Sequence, residues 1–144
     1  MVEIKPLAEP DRAEWEPLAR AFHHHFDTEV DEGAYERTWR RLVEAEQLRG
    51  IAARVDGRVV GIAHYLFHPG TWKPGRCYLA DLYVDPGVRR RGVATAMIEW
   101  VARDAEENGA PRLYWNTLAD APARALYDRL ADYQPGLITY CYRR

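Results

Sequence analysis

Apolar positions change their spacing along this chain, and each change marks an element. Behind Asp11, residues Trp15, Leu18, Ala19, Phe22 and Phe26 recur at helical spacing and predict a first helix. Tyr35, Trp39, Leu42 and Val43 repeat the pattern and predict a second helix over 32–45. The period then gives way to β-rich runs at 51–55 and 58–67, separated by Asp56-Gly57. Asp-Gly between two such runs predicts a tight hairpin, because both turn residues take positive φ there. Breakers fill 68–76, among them Pro69, Gly70, Pro74 and Gly75. A strand over 77–84 follows, then a helix over 93–108 that Asn108-Gly109 stops. A strand over 112–117, a short helix over 121–131 and a last strand near 137–142 complete the chain, which opens with a short strand over 2–5. Antiparallel strands first and a strand–helix–strand unit later predict an α/β (α+β) fold, a mixed sheet with helices on its faces.

The joint between strand 77–84 and helix 93–108 carries the densest chemistry. It reads Val84-Asp-Pro-Gly-Val-Arg-Arg-Arg-Gly-Val-Ala-Thr95. A helix start leaves backbone N–H groups without partners and holds the positive end of the helix dipole, which suits a phosphate. Gly92 brings no side chain in the way of a ligand oxygen, and Arg89, Arg90 and Arg91 add positive charge. An ordinary turn with solvated arginines is the competing reading of this segment alone.

Arg89-x-x-Gly92-x-Ala94 resembles the Arg/Gln-x-x-Gly-x-Gly/Ala signature of the GNAT superfamily of N-acetyltransferases. That family's later segment Asn-x-x-Ala-x-x-Leu-Tyr is matched by Asp120-Ala-Pro-Ala123-Arg-Ala-Leu126-Tyr127. The resemblance covers roughly residues 51–142. It implies a central sheet of about six to seven strands with a splay between two central parallel strands. It implies acetyl-CoA as cosubstrate, with the pyrophosphate on Arg89, Arg90, Arg91, Gly92, Val93, Ala94 and Thr95. The pantetheine arm would lie on the backbone of Leu82, Tyr83 and Val84, with Asp120 and Ala123 beside it. Tyr127 stands where the family places the general acid that faces the CoA sulfur; packing beneath the sheet is its ordinary alternative.

Tyr78-Leu-Ala-Asp-Leu-Tyr-Val84 is similar to the Tyr-Leu-Glu-Asp-x-x-Val of the spermidine/spermine and thialysine acetyltransferases. Ala80 stands in place of their glutamate, which assists deprotonation. Asp81 remains as a candidate base, although on an alternating strand it faces away from Ala80; a capped loop partner is the alternative. Two further positions depart from the family. Asp120 replaces an asparagine and, when ionised, accepts hydrogen bonds without donating them. Leu130-Ala-Asp-Tyr133 replaces Leu-Gly-Phe.

Composition narrows the partners. With 144 residues the chain reads as a single domain over 1–144, and 47% apolar with 29% charged residues excludes a disordered chain. No apolar run approaches the roughly 20 residues that span a bilayer. Met1-Val-Glu-Ile-Lys-Pro6 is no signal peptide, so a cytoplasmic location and no membrane partner are expected. A net charge of −2 gives no reason to expect nucleic acid. Cys77 and Cys141 lack metal-ligand spacing and read as reduced core thiols. His23, His24 and His25 follow one another, so a regular helix would turn them to different sides; no metal is expected. His64 and His68 are candidates for the acceptor pocket, as is Trp115. Asp27, Glu29, Asp31 and Glu32 form an acidic stretch that would attract a cationic acceptor, or is simply a charged loop. The last strand, rich in Ile, Tyr and Cys, is able to pair across a homodimer.

The expected activity is transfer of an acetyl group from acetyl-CoA to a primary amine of a small molecule, by direct attack in a ternary complex. Acetylation of a protein lysine or N-terminus, or non-catalytic binding of acyl-CoA, are the alternatives.

Overall fold

The computed structural model describes residues 1–88 and 90–144. Five strands form one sheet in chain order: β1 (Val2–Pro6), β2 (Arg49–Val55), β3 (Arg58–His68), β4 (Arg76–Val84) and β5 (Arg112–Tyr114). Neighbours run antiparallel up to β4, and β4 pairs with β5 in parallel. The β2–β3 turn has Asp56 at φ 52° and Gly57 at φ 77°, the primed geometry that the Asp-Gly pair favours. Helices α1 (Arg12–His25) and α2 (Gly33–Glu44) cover one face of the sheet. Helix α3 (Val93–Glu107) covers the other, and the short α4 (Arg124–Leu130) packs onto that second side through Tyr127 and Leu130.

Strand alternation builds two cores. Ile51, Ala63, Tyr65, Cys77 and Leu79 face Val93, Met97 and Val101 of α3. Ala52, Ile62 and Tyr83 face Trp15, Trp39 and Leu42 of α1 and α2. Helix α3 comes close to β3 because residue 61 is glycine; a Cβ there would lie 2.9 Å from the Met97 sulfur. Tyr65 ties β3 to the same helix by donating its hydroxyl to Asp104 Oδ2 at 2.6 Å.

One irregularity decides where the site lies. Tyr65 faces Leu79 across the β3–β4 ladder, yet its neighbour His64 faces Asp81, so Ala80 is an extra residue in β4. Leu79 belongs to the α3-side core, whereas Asp81 and Tyr83 line a cavity under α1 and α2. Strict alternation would have sent Asp81 to the same side as Leu79. The expectation that β4 alternates regularly through Ala80 is therefore corrected: the bulge resets the phase.

The C-terminal third departs further from expectation. The sheet has five strands rather than six to seven, and β5 and α4 are shorter than the sequence predicts. Residues 137–142 form no strand; Leu137, Ile138, Tyr140 and Tyr142 are exposed. High β-propensity needs a partner ladder and a half-buried face to take effect, and three-residue β5 offers little of either. Cys77 is buried as expected, but Cys141 is exposed, because the strand that would have buried it is absent.

Candidate active site

The strand-to-helix joint has the geometry its sequence suggests. Gly92 caps α3 at φ 77°, and a Cβ placed there would meet nothing within 4 Å. Its value is therefore the left-handed backbone and the open approach, not relief of a clash within the protein. Arg90 also has positive φ, 69°, so the chain turns twice before the helix begins. The first helical bond runs from Ala96 N–H to Gly92 C=O, which leaves the N–H groups of Val93, Ala94 and Thr95 without an intrahelical acceptor. No side chain caps this end and no acidic residue stands in its first turn. Val93 anchors the start in the core, while Arg90 and Arg91 are exposed beside it. Arg89 lies outside the described residues. An open, uncapped helix start flanked by guanidinium groups fits an anionic oxygen cluster such as a phosphate.

A second feature lies on the opposite face of the sheet. A cavity of about 130 Å³ is enclosed by α1, α2, β3 and β4, with Trp15, Phe22, Tyr35, Ile62 and Tyr83 among its walls. Its one acid is Asp81, among the described residues that line it. Asp81 Oδ2 lies 2.9 Å from His64 Nδ1, and His64 Nε2 lies 2.9 Å from Trp15 Nε1. An indole N–H can only donate, so His64 Nε2 accepts and Nδ1 carries the proton that Asp81 receives. The imidazole is held as one neutral tautomer between a fixed donor and a fixed acceptor. Its side chain is 7% exposed and that of Asp81 38%. Asp81 is thus gripped through one oxygen from inside the protein and reaches solvent-accessible space with the rest of its carboxylate.

Tyr127 stands elsewhere. It lines a larger, more open cavity of about 670 Å³ between β5, α4 and the C-terminal segment, and its ring meets Trp115 edge-on at 5.4 Å. Burial pushes its hydroxyl above the usual tyrosine range. Tyr127 and Asp81 do not share a cavity; they flank the pair β4 and β5, whose ladder ends at Tyr78 and Tyr114 while β4 runs on to Val84. Leu82 and Val84 pack on the α3 side of that overhanging stretch. Asp120 is exposed in the turn before α4, and Ala123 caps that helix.

The remaining candidates separate. His64 lines the smaller cavity, whereas His68 is exposed at the far end of β3, with Nε2 2.8 Å from the Tyr114 hydroxyl. His23 also lines the smaller cavity and approaches the Tyr35 hydroxyl at 3.1 Å. Trp115 belongs to the larger cavity beside Tyr127. Half of the acidic stretch is already paired: Asp31 holds Arg37 at 2.8 Å and Glu32 holds Arg20 at 3.0 Å. Those guanidinium groups keep both carboxyls below their ordinary values. Trp15 was readable as a core position only, since its bond to His64 spans 49 residues. Among the described residues, no group of three or more His, Cys, Asp or Glu is placed to hold a metal, and no helix is long and apolar enough to cross a membrane.

Comparison with known proteins identifies the family and the fold. The chain is 29% identical to a D-amino-acid N-acetyltransferase of Saccharomyces cerevisiae over 135 residues, 90% of this chain and 84% of that protein. It is likewise 29% identical to the thialysine N-epsilon-acetyltransferase of Caenorhabditis elegans over 123 residues, 83% of this chain and 76% of the relative. The fold is shared with AAC(6')-Iy in complex with the bisubstrate analogue CoA-S-monomethyl-acetylneamine, at a TM-score of 0.87 and 17% identity over 100% of this chain and 99% of the other. Residues 11–133 match the Acetyltransferase (GNAT) family, so the chain belongs to that family and is an acetyltransferase.

Proposed function

We propose that the protein transfers an acetyl group from acetyl-CoA to a primary amine of a small molecule, with both substrates bound together. The main support is the Asp81 carboxylate, oriented by His64 in a largely apolar cavity. A carboxylate in that setting attracts an ammonium group and can receive its proton.

Acetyl-CoA supplies the activated acetyl thioester. The chain's own residues account for the rest. The free N–H groups of Val93, Ala94 and Thr95 bind pyrophosphate oxygens over Gly92, and Arg90 and Arg91 offset their charge. The β4 backbone near Leu82 lies where the ladder to β5 has already ended, so an extended amide arm can run alongside it as a further strand does. Asp81 takes the proton that the acceptor ammonium must lose before its nitrogen lone pair can attack, and passes it to solvent through its exposed side. Trp15 and His64 spare the carboxylate a search for its orientation. Tyr127 holds a proton for the departing sulfur. Its raised pKa keeps that proton in place well beyond neutral pH.

The test measures CoA thiol release with a panel of primary amines and CoA affinity by calorimetry. Turnover is expected in the native chain. Gly92→Glu, which sets a carboxylate where phosphate should lie, should abolish CoA binding with the fold intact. Undiminished affinity in that variant, or no thiol release with any amine, refutes the reading.

A further inference from the structure

The cavity under α1 and α2 also says which amines fit. A cavity of about 150 Å³ lined by aliphatic and aromatic side chains takes up benzene, and this one measures about 130 Å³. Its walls include Trp15, Phe22, Val30, Tyr35, Ile62 and Tyr83 together with Thr38, and Asp81 is its only acid among the described residues that line it. His64 is committed to Trp15 and Asp81, and His23 faces the Tyr35 hydroxyl. No lysine or arginine lines the cavity among the described residues. The nearby cation Arg20 lies over the Tyr35 ring at 4.2 Å, does not line the cavity, and is already held by Glu16 and Glu32. Among the described lining residues, a carboxylate brought in with the amine would therefore find no ammonium or guanidinium group, and a second ammonium would find no second acid.

We infer that this cavity selects a singly charged amine with a compact apolar body, one ring or a short alkyl chain, and rejects acceptors that carry a carboxylate or a second cation. The inference rests on the acetyl-transfer reading above. It separates this chain from what the names of its relatives suggest, since a D-amino acid and thialysine both bear a carboxylate.

Matched pairs isolate the effect. 2-Phenylethylamine and phenylalanine (both enantiomers) differ by the carboxylate alone, and n-butylamine and 1,4-diaminobutane by the second amine. In each pair the monoamine should show kcat/KM at least about tenfold higher, the scale set by one charge left without a partner in an apolar site. Val30→Asp adds a carboxylate at a half-open position in the wall (Val30 is 37% exposed). It should shift the diamine-to-monoamine ratio toward the diamine by about tenfold. Equal or higher kcat/KM for the amino acid or the diamine in the native chain overturns the inference and leaves acetyl transfer standing. A ratio unmoved in a folded Val30→Asp variant overturns it as well. Absence of turnover with every amine removes the acetyl-transfer reading itself, and this inference with it.

Discussion

The Trp15–His64–Asp81 chain can be tested as a coupled unit by a double-mutant cycle. Trp15→Phe keeps an aromatic ring against Trp39, whose centroid lies 5.1 Å away, but deletes the donor to His64 Nε2. His64→Leu keeps apolar volume and deletes both ring nitrogens. Either change alone strands a buried polar atom: an imidazole acceptor in the first case, an indole N–H in the second. Trp15 is 1% exposed and His64 6%, so water does not readily replace the missing partner. Stranding such a group costs about 1–3 kcal/mol. Asp81 adds little to this sum, because its 38% exposed side chain can turn to water. The double variant strands neither nitrogen. Its loss should fall short of the sum of the single losses by about 2–6 kcal/mol, one stranding cost from each single variant, while the packing lost from the indole appears in both backgrounds and cancels. Urea unfolding with linear extrapolation measures all four proteins. Additivity within about 0.5 kcal/mol would refute the chain of bonds described here. Acetyl transfer adds a second readout: His64→Leu should lower kcat/KM for the amine and leave CoA affinity unchanged.

Tyr127→Phe removes one hydroxyl and keeps the ring on Trp115, so CoA affinity should persist while kcat falls by roughly 10²- to 10⁴-fold. The native kcat should hold on the alkaline side up to the ordinary tyrosine value and decline only above it, because burial raises the Tyr127 pKa; the variant should lack that decline. Burial, with help from Asp104, pushes the Cys77 thiol up to about 12 from an ordinary 9.0. Above pH 9 the unfolded thiol ionises while the folded one does not, so stability should be full below that pH and fall between 9 and 12. Chemical denaturation across that window should show a shallower decline in Cys77→Ala than in the native chain; parallel slopes would refute the assignment.

The parts of the fold that were legible in the sequence are those specified locally. Helical spacing from Trp15 to Phe26 and from Tyr35 to Val43, and the Asp56-Gly57 turn, each carry their own instructions within a few residues. The helix start at Gly92 was legible for the same reason, since positive φ and missing caps are properties of the residues present. Long-range pairing was not. Residues 137–142 have the composition of a strand, but a strand exists only with a partner, and none is formed here. The cavity under α1 and α2 also escaped, because its polar members are brought together by β3–β4 register and by a bond between residues 49 apart. Asp81 was identified as a candidate base, but the side it faces depends on a bulge that composition does not announce.

That bulge makes the facing of β4 a matter of parity. Ala80 stands where the motif of the diamine acetyltransferases has glutamate, and as chemistry its methyl group reads as a loss. As an insertion it is absorbed by the bulge: with it looped out of the ladder, Asp81 and Tyr83 face α1 and α2, and Leu79 faces α3. Deleting Ala80 would make Leu79 and Asp81 consecutive, and alternation would still turn them to opposite sides, with His64 opposite Asp81 as before. Replacing Ala80 keeps the bulge and the direction as well. Position 80 should therefore tolerate many side chains and its own deletion. What the site does not tolerate is a regular ladder through residue 80, which would turn Asp81 into the opposite core like a letter added to a word.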